Sequence, residues 1–171
     1  MTKTSKQWVE EVSKDPVKLQ HWLERQYVGE ELAARRLEEL CTHPEMTDKQ
    51  LPIISRIAEE ERLHSKWIAK LLPSLPEVSY DEDRYWSEVK LSELSSDELL
   101  AAGHHAEEMR LERIRAVVES DLPENIREVF AKILPMEKFH AKAFGSLASK
   151  KALENTKENH ESGMKALNLT M

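Results

Sequence analysis

Four stretches of this chain repeat apolar residues at helical spacing, and each stripe is interrupted near its middle by a glutamate. The first runs Leu19, Leu23, Tyr27, Glu30, Ala34, Leu37 and Cys41. The second runs Ile54, Ile57, Glu61, His64, Ile68 and Leu71. The third carries Leu100, Gly103, Glu107, Leu111, Ile114 and Val118, and the fourth Ile126, Phe130, Ile133, Glu137, His140, Phe144 and Leu147. A stripe with this period is the face that a helix buries. Burying a carboxylate costs several kcal/mol unless it is paired or metal-bound. The fold must therefore bring the four acids to something that compensates them.

Local signals delimit these helices. Asp15-Pro16 reads as an N-cap and first helical residue, and the first long helix ends near Thr42-His43-Pro44. Thr47-Asp-Lys-Gln50 and Ser95-Ser-Asp-Glu98 read as capping boxes for the second and third helices. Pro73 stops the second, Pro52 falls in its tolerant first turns, and Asp121-Leu-Pro123 separates the third from the fourth. Residues 73–94 have no sustained period and read as a long connection with a short turn of helix. Ser5 to Val12 reads as a short helix before the bundle. The expected organisation is one domain over residues 1–171, with a bundle core at about 15–148 and a polar tail at 149–171, either frayed or packed as an arm. Connections that run short, long, short predict an all-α four-helix bundle, with the long crossover between its second and third helices.

The second and fourth stripes carry Glu61-Arg-Leu-His64 and Glu137-Lys-Phe-His140. Spacing of three puts each glutamate and histidine on one helix face, a turn apart. Chance alone would place about one Glu-x-x-His in a chain this rich in glutamate, so the motif carries weight only through its position on the buried face. The halves also match: Glu30 precedes Glu61 by 31 residues, and Glu107 precedes Glu137 by 30. Each half reads as Glu followed by Glu-x-x-His. Four carboxylates and two imidazoles suit two divalent cations, carboxylate being a hard bridging ligand and imidazole a borderline one. Glu31 and Glu108 are alternatives to their neighbours, with the stripe favouring Glu30 and Glu107. The bland alternative is a salt-bridged acid–histidine network without metal.

Composition narrows the class. Hydrophobic residues make up 40% and charged residues 33% of a 171-residue chain with only 4 glycines, which favours helix over sheet. A net charge of −7 argues against general nucleic-acid binding. No apolar run is long enough to span a membrane, and Met1 to Asp15 lacks the apolar centre of a secretory signal. The single cysteine, Cys41, points to a cytoplasmic setting and rules out a four-cysteine iron site in this chain.

With its paired Glu and Glu-x-x-His set, residues 15 to 148 resemble the ferritin-like di-iron carboxylate proteins, and among them the rubrerythrin-like branch. The resemblance implies that Glu61 and Glu137 bridge two irons, that His64 and His140 each bind one, and that Glu30 and Glu107 are terminal ligands. It implies oxidase or peroxidase chemistry with dioxygen or peroxide, or oxidation of ferrous iron. Rubrerythrin carries a further metal-switching glutamate one turn after the third-helix ligand, where this chain has Arg110. Rubrerythrin also carries a rubredoxin domain, so electrons are expected here from a separate donor. Manganese, or mixed manganese and iron, fits the same ligands. Rival readings are ferritin-like iron oxidation and storage, and a metal-free helical binding module. A homodimer joined through the polar tail is a further expectation.

Among the remaining residues, His104 and His105 read as a partly exposed pair, with His104 able to approach the site. His21, His43 and His160 read as surface residues. Tyr27 and Trp67 read as core packing, and Glu59 and Glu60 as solvated.

Overall fold

The computed structural model describes residues 2–80 and 84–170. Residues 1, 81–83 and 171, which fall in the polar N-terminus, the long connection and the tail, lie outside the described residues. In chain order the helices are α1 (Ser5–Val12), α2 (Pro16–Cys41), α3 (Leu51–Ala69), α4 (Arg84–Val89), α5 (Ser96–Val118), α6 (Glu124–Leu147), α7 (Lys150–Asn155) and α8 (Lys157–Ala166). A single 3-10 turn, Leu91–Glu93, lies between α4 and α5. No extended strand occurs among the described residues. The architecture is an all-α bundle built on α2, α3, α5 and α6.

Capping follows the sequence closely. Asp15 Oδ1 accepts from the amides of Val17 and Lys18, both at 3.1 Å. Ser95 and Glu98 form a reciprocal capping box at the start of α5. Thr47 and Gln50 also bond reciprocally, at 2.9 and 3.3 Å, yet regular helix begins only at Leu51. That box closes a turn leading into α3 instead of forming its first turn. At the other end α3 finishes at Ala69, one turn before Pro73. Pro135 lies inside α6, a position the apolar stripe alone did not mark.

The four stripes pack inward as their periodicity requires. Two apolar clusters result, and the acid layer separates them. One gathers Trp22, Leu23, Ile68, Ile114, Phe130 and Ile133, and the other Leu37, Ile54, Ile57, Leu100 and Phe144. Short connections make close neighbours of α2 and α3, and of α5 and α6. The tail is neither solvated nor simply continuous with α6. It forms α7 and α8, and α8 lies along α4. Gly163 permits this approach, since a Cβ there would meet the Tyr85 ring at 2.5 Å. Asn159 adds a hydrogen bond to the Val89 carbonyl at 3.1 Å. The two ends of the chain also meet, through a bridge between Lys3 and Leu169.

Candidate metal centre

All six residues singled out by the stripes converge between the two apolar clusters. Glu30 comes from α2, Glu61 and His64 from α3, Glu107 from α5, and Glu137 and His140 from α6. Glu30, His64, Glu137 and His140 have no solvent exposure, Glu61 has 1% and Glu107 6%. The members of each acidic pair point in different directions. Glu108 is exposed, and Glu31 turns to Arg62 and Ser65 on α3.

The geometry divides into two overlapping sets. Glu30, Glu61, His64 and Glu137 each offer one ligand atom within 4.8 Å of the others, and so do Glu61, Glu107, Glu137 and His140. His64 Nδ1 lies 3.3 Å from Glu61 Oε2, 3.3 Å from Glu137 Oε1 and 3.6 Å from Glu30 Oε2. His140 Nδ1 lies 3.4 Å from Glu61 Oε1, 3.5 Å from Glu137 Oε2 and 3.8 Å from Glu107 Oε1. Glu61 and Glu137 thus direct one oxygen to each histidine, while Glu30 and Glu107 serve one set each. The imidazoles stack with centroids 5.6 Å apart.

These atoms lack partners of their own. Most of the buried side-chain atoms without a hydrogen bond among the described residues lie here: Glu30 Oε2, both oxygens of Glu61 and of Glu137, Glu107 Oε2, and Nδ1 of His64 and His140. Buried polar groups are ordinarily satisfied, and a concentration of orphans in one layer is what a missing cation would leave. Donor atoms held about 2.0–2.2 Å from one transition-metal ion lie a little over 3 Å apart, as these do. The residues therefore fit a pair of divalent metals.

Electrostatics show the strain of the uncompensated cluster. Burial pushes the Glu30 carboxyl up to about 7, against the pull of Arg110. Burial, helped by the neighbouring Glu137 charge, holds Glu107 well above the usual range. Glu61 and Glu137 go the other way. Burial opposes their ionisation, but the Arg110 charge at Glu137 and the Glu30 carboxyl at Glu61 favour it, as do the two imidazoles that face both carboxylates. Burial likewise opposes a charge on the histidines. The surrounding carboxylates outweigh it, raising His64 to about 12 and His140 to about 10.

Two partners were not legible beforehand. Glu60 is not solvated: it accepts from His140 Nε2 at 2.8 Å and is braced by Arg56 at 2.8 Å. The equivalent nitrogen of His64 faces the Met136 sulfur at 3.2 Å, so the two halves differ in their outer support. Arg110 enters the centre itself. Its guanidinium donates to Glu30 Oε1 and lies 3.5 Å from Glu137 Oε1. The other histidines stay outside. His104 bonds the Ala141 carbonyl at 2.8 Å and His105 the Leu153 carbonyl at 3.0 Å, pinning α5 to α6 and α7. His160, read as a surface residue, is half-buried against Tyr85 and His105. Tyr27 packs on the first apolar cluster, as does Trp67, whose ring centroid is 5.9 Å from that of His64.

The rubrerythrin family matches residues 21–148, a span that runs from the first turns of α2 to the end of α6 and contains all six converging residues. No curated protein and no solved structure gives a significant match to the chain.

Proposed function

The chain belongs to the rubrerythrin family, and on that premise we propose that it is a di-iron redox protein reacting with dioxygen or hydrogen peroxide. The observation that carries this reading is the pair of donor sets sharing Glu61 and Glu137, in which every residue presents an unpartnered buried atom. Glu61 and Glu137 are assigned as bridging carboxylates. Glu30 and His64 complete one iron site, and Glu107 and His140 the other. When bound, the iron pair supplies the electrons and Lewis acidity for reducing dioxygen or peroxide.

The chain's own groups prepare that chemistry. Four carboxylates match the charge of two divalent ions. Glu60 fixes the orientation of His140 through Nε2 and so leaves Nδ1 to the centre. Arg110 holds Glu30 on one side and keeps a positive donor beside Glu137. The apolar clusters on either side, with Phe130 and Ile133 in one and Ile57 and Phe144 in the other, limit bulk water at the acid layer. No helix among the described residues is long and apolar enough to cross a membrane.

Anaerobic ferrous reconstitution followed by elemental analysis tests the assignment. About two irons per chain, with a visible band that responds to peroxide, are expected. Alanine at Glu61 or Glu137 is expected to abolish paired binding. Protein that retains no metal after reconstitution overturns the reading and leaves the acid–histidine layer structural. Manganese retained in preference to iron would revise the metal but keep the ligands. An assembly of many subunits on size exclusion would favour iron storage over oxidase or peroxidase chemistry.

A further inference from the structure

A cavity of about 390 Å³ adjoins the acid layer, between α2, α5, α6 and the segment after α4. Its inner end is formed by Glu61 and Glu107, both more than nine-tenths buried, and both carrying oxygens with no hydrogen-bond partner. Its rim carries exposed Glu39 and Ser92. The walls between them are apolar, with Leu37, Leu40, Leu99, Ala106 and Phe144 as the main surfaces. Gly103 keeps one wall open, because a Cβ there would press on the Phe144 ring at 3.2 Å. A second hollow, of about 640 Å³, lies between α1 and the end of α5, is lined by groups such as Lys6, Glu10, Glu112 and Arg115, and touches none of the six centre residues.

The size of the inner cavity exceeds what the small oxidants need. One water occupies roughly 30 Å³ in the liquid, and dioxygen and peroxide are of similar scale. The volume and lining instead match the range of small-molecule sites, which are mostly apolar with few polar groups. The charge pattern selects further. The carboxylate of Glu39 at the rim disfavours entry of an anion. The one arginine on the wall, Arg36, lays its guanidinium 5.0 Å from the ring centre of Trp86, which lines the same cavity, and 5.2 Å from that of Tyr80, so two aromatic faces take up its charge. His43 Nδ1 accepts from the Glu45 amide at 3.2 Å.

We propose that this cavity binds an uncharged, largely apolar organic molecule and presents one end of it to the centre at Glu61 and Glu107. The inference deepens the metal-centre reading and rests on it for what the bound molecule meets. Apolar walls reward burial of hydrocarbon surface by about 25 cal/mol per Å². The carboxylate floor exposes the inner end of the ligand to whatever ion Glu61 and Glu107 hold.

Naphthalene serves as a neutral apolar probe. Its uptake is measured by equilibrium dialysis on metal-loaded wild type and on Ala33→Phe and Leu99→Phe. Both substitutions fill the cavity from partly exposed positions. Metal content is determined in parallel, and Co2+ loading supplies a visible spectrum. The expected result is saturable uptake of about one molecule per chain, weakened about tenfold or more in both variants at unchanged metal content. The Co2+ bands of wild type should shift on naphthalene addition. Absence of saturable uptake by metal-loaded wild type overturns the proposal, as does uptake that both filling variants retain. Uptake blocked by the variants in protein that binds no metal supports the cavity's ligand class and overturns the metal reading alone.

Discussion

Arg110 on α5 donates a charge-assisted hydrogen bond to Glu30 on α2, and the same guanidinium lies 3.5 Å from Glu137 Oε1 on α6. One side chain therefore links three of the four bundle helices at the level of the acids. It also claims an oxygen of a carboxylate assigned to metal.

Removing Arg110 should have opposite effects on the two forms of the protein. Truncating one partner of a buried ion pair costs about 3–5 kcal/mol, because the other charge is left uncompensated. Arg110→Met is expected to destabilise the metal-free protein on that scale. Glu30 is then released to a cation, so metal affinity should rise. Denaturant midpoints of stripped protein and chelator competition on loaded protein check the two arms. Unchanged values in both would show that the pair contributes nothing.

Glu60 should matter to one half of the centre only. It holds His140 through Nε2, while His64 has the Met136 thioether in the corresponding place. Partners of this kind typically contribute 10–100-fold in metal affinity. Glu60→Gln is therefore expected to weaken one of two binding steps by about that factor and leave the other near its wild-type value. Stepwise titration with Co2+ distinguishes this from a uniform loss.

Metal removal should lower stability far more than chelation of surface ions could. Ligands that bind only the folded state add about 2.7 kcal/mol at a hundredfold excess over Kd. Reloading stripped protein is expected to raise the melting midpoint in proportion to the logarithm of metal concentration. His64→Ala with His140→Ala should abolish that dependence. A midpoint indifferent to chelator in wild type would mean that the acid layer stabilises itself.

What could be read beforehand was whatever one helix states about itself. The stripes placed Glu30, Glu61, His64, Glu107, Glu137 and His140 on buried faces, because a period of 3.6 needs no knowledge of neighbours. Asp15 and Ser95 likewise act on the next three amides of their own chain. Glu60 failed that test. It sits about 100° around α3 from Glu61, which a single-helix view assigns to solvent. Only the arrival of His140 from α6 makes it an inner partner. Arg110 was visible as a departure from a resembling pattern, but its reach to Glu30 depends on how α2 packs across α5. The tail was opaque for a different reason. Helices of 6 and 10 residues rich in charge have weak periodicity, and their stability comes from docking, here of α8 on α4.

That docking should depend on pH through His160. Its Nδ1 lies 2.7 Å from the Tyr85 hydroxyl, and its ring stacks on His105 with centroids 5.1 Å apart. Burial, reinforced by the neighbouring His105 charge, lowers His160 from an ordinary 6.5 to about 4. The folded state thus holds His160 neutral over a range in which the unfolded chain binds a proton. Where the unfolded state binds more protons, stability rises with pH. The contribution of His160 is therefore at its most favourable above about 6.5, declines as pH falls, and reaches its full penalty near 4. His160→Phe keeps a ring against His105 but cannot titrate. Its unfolding free energy should fall less steeply than wild type between pH 7 and pH 4, since the carboxylates and other histidines titrate in both proteins and cancel in the difference. Parallel curves for the two proteins across that window would show that His160 is not held neutral by the α8 contact.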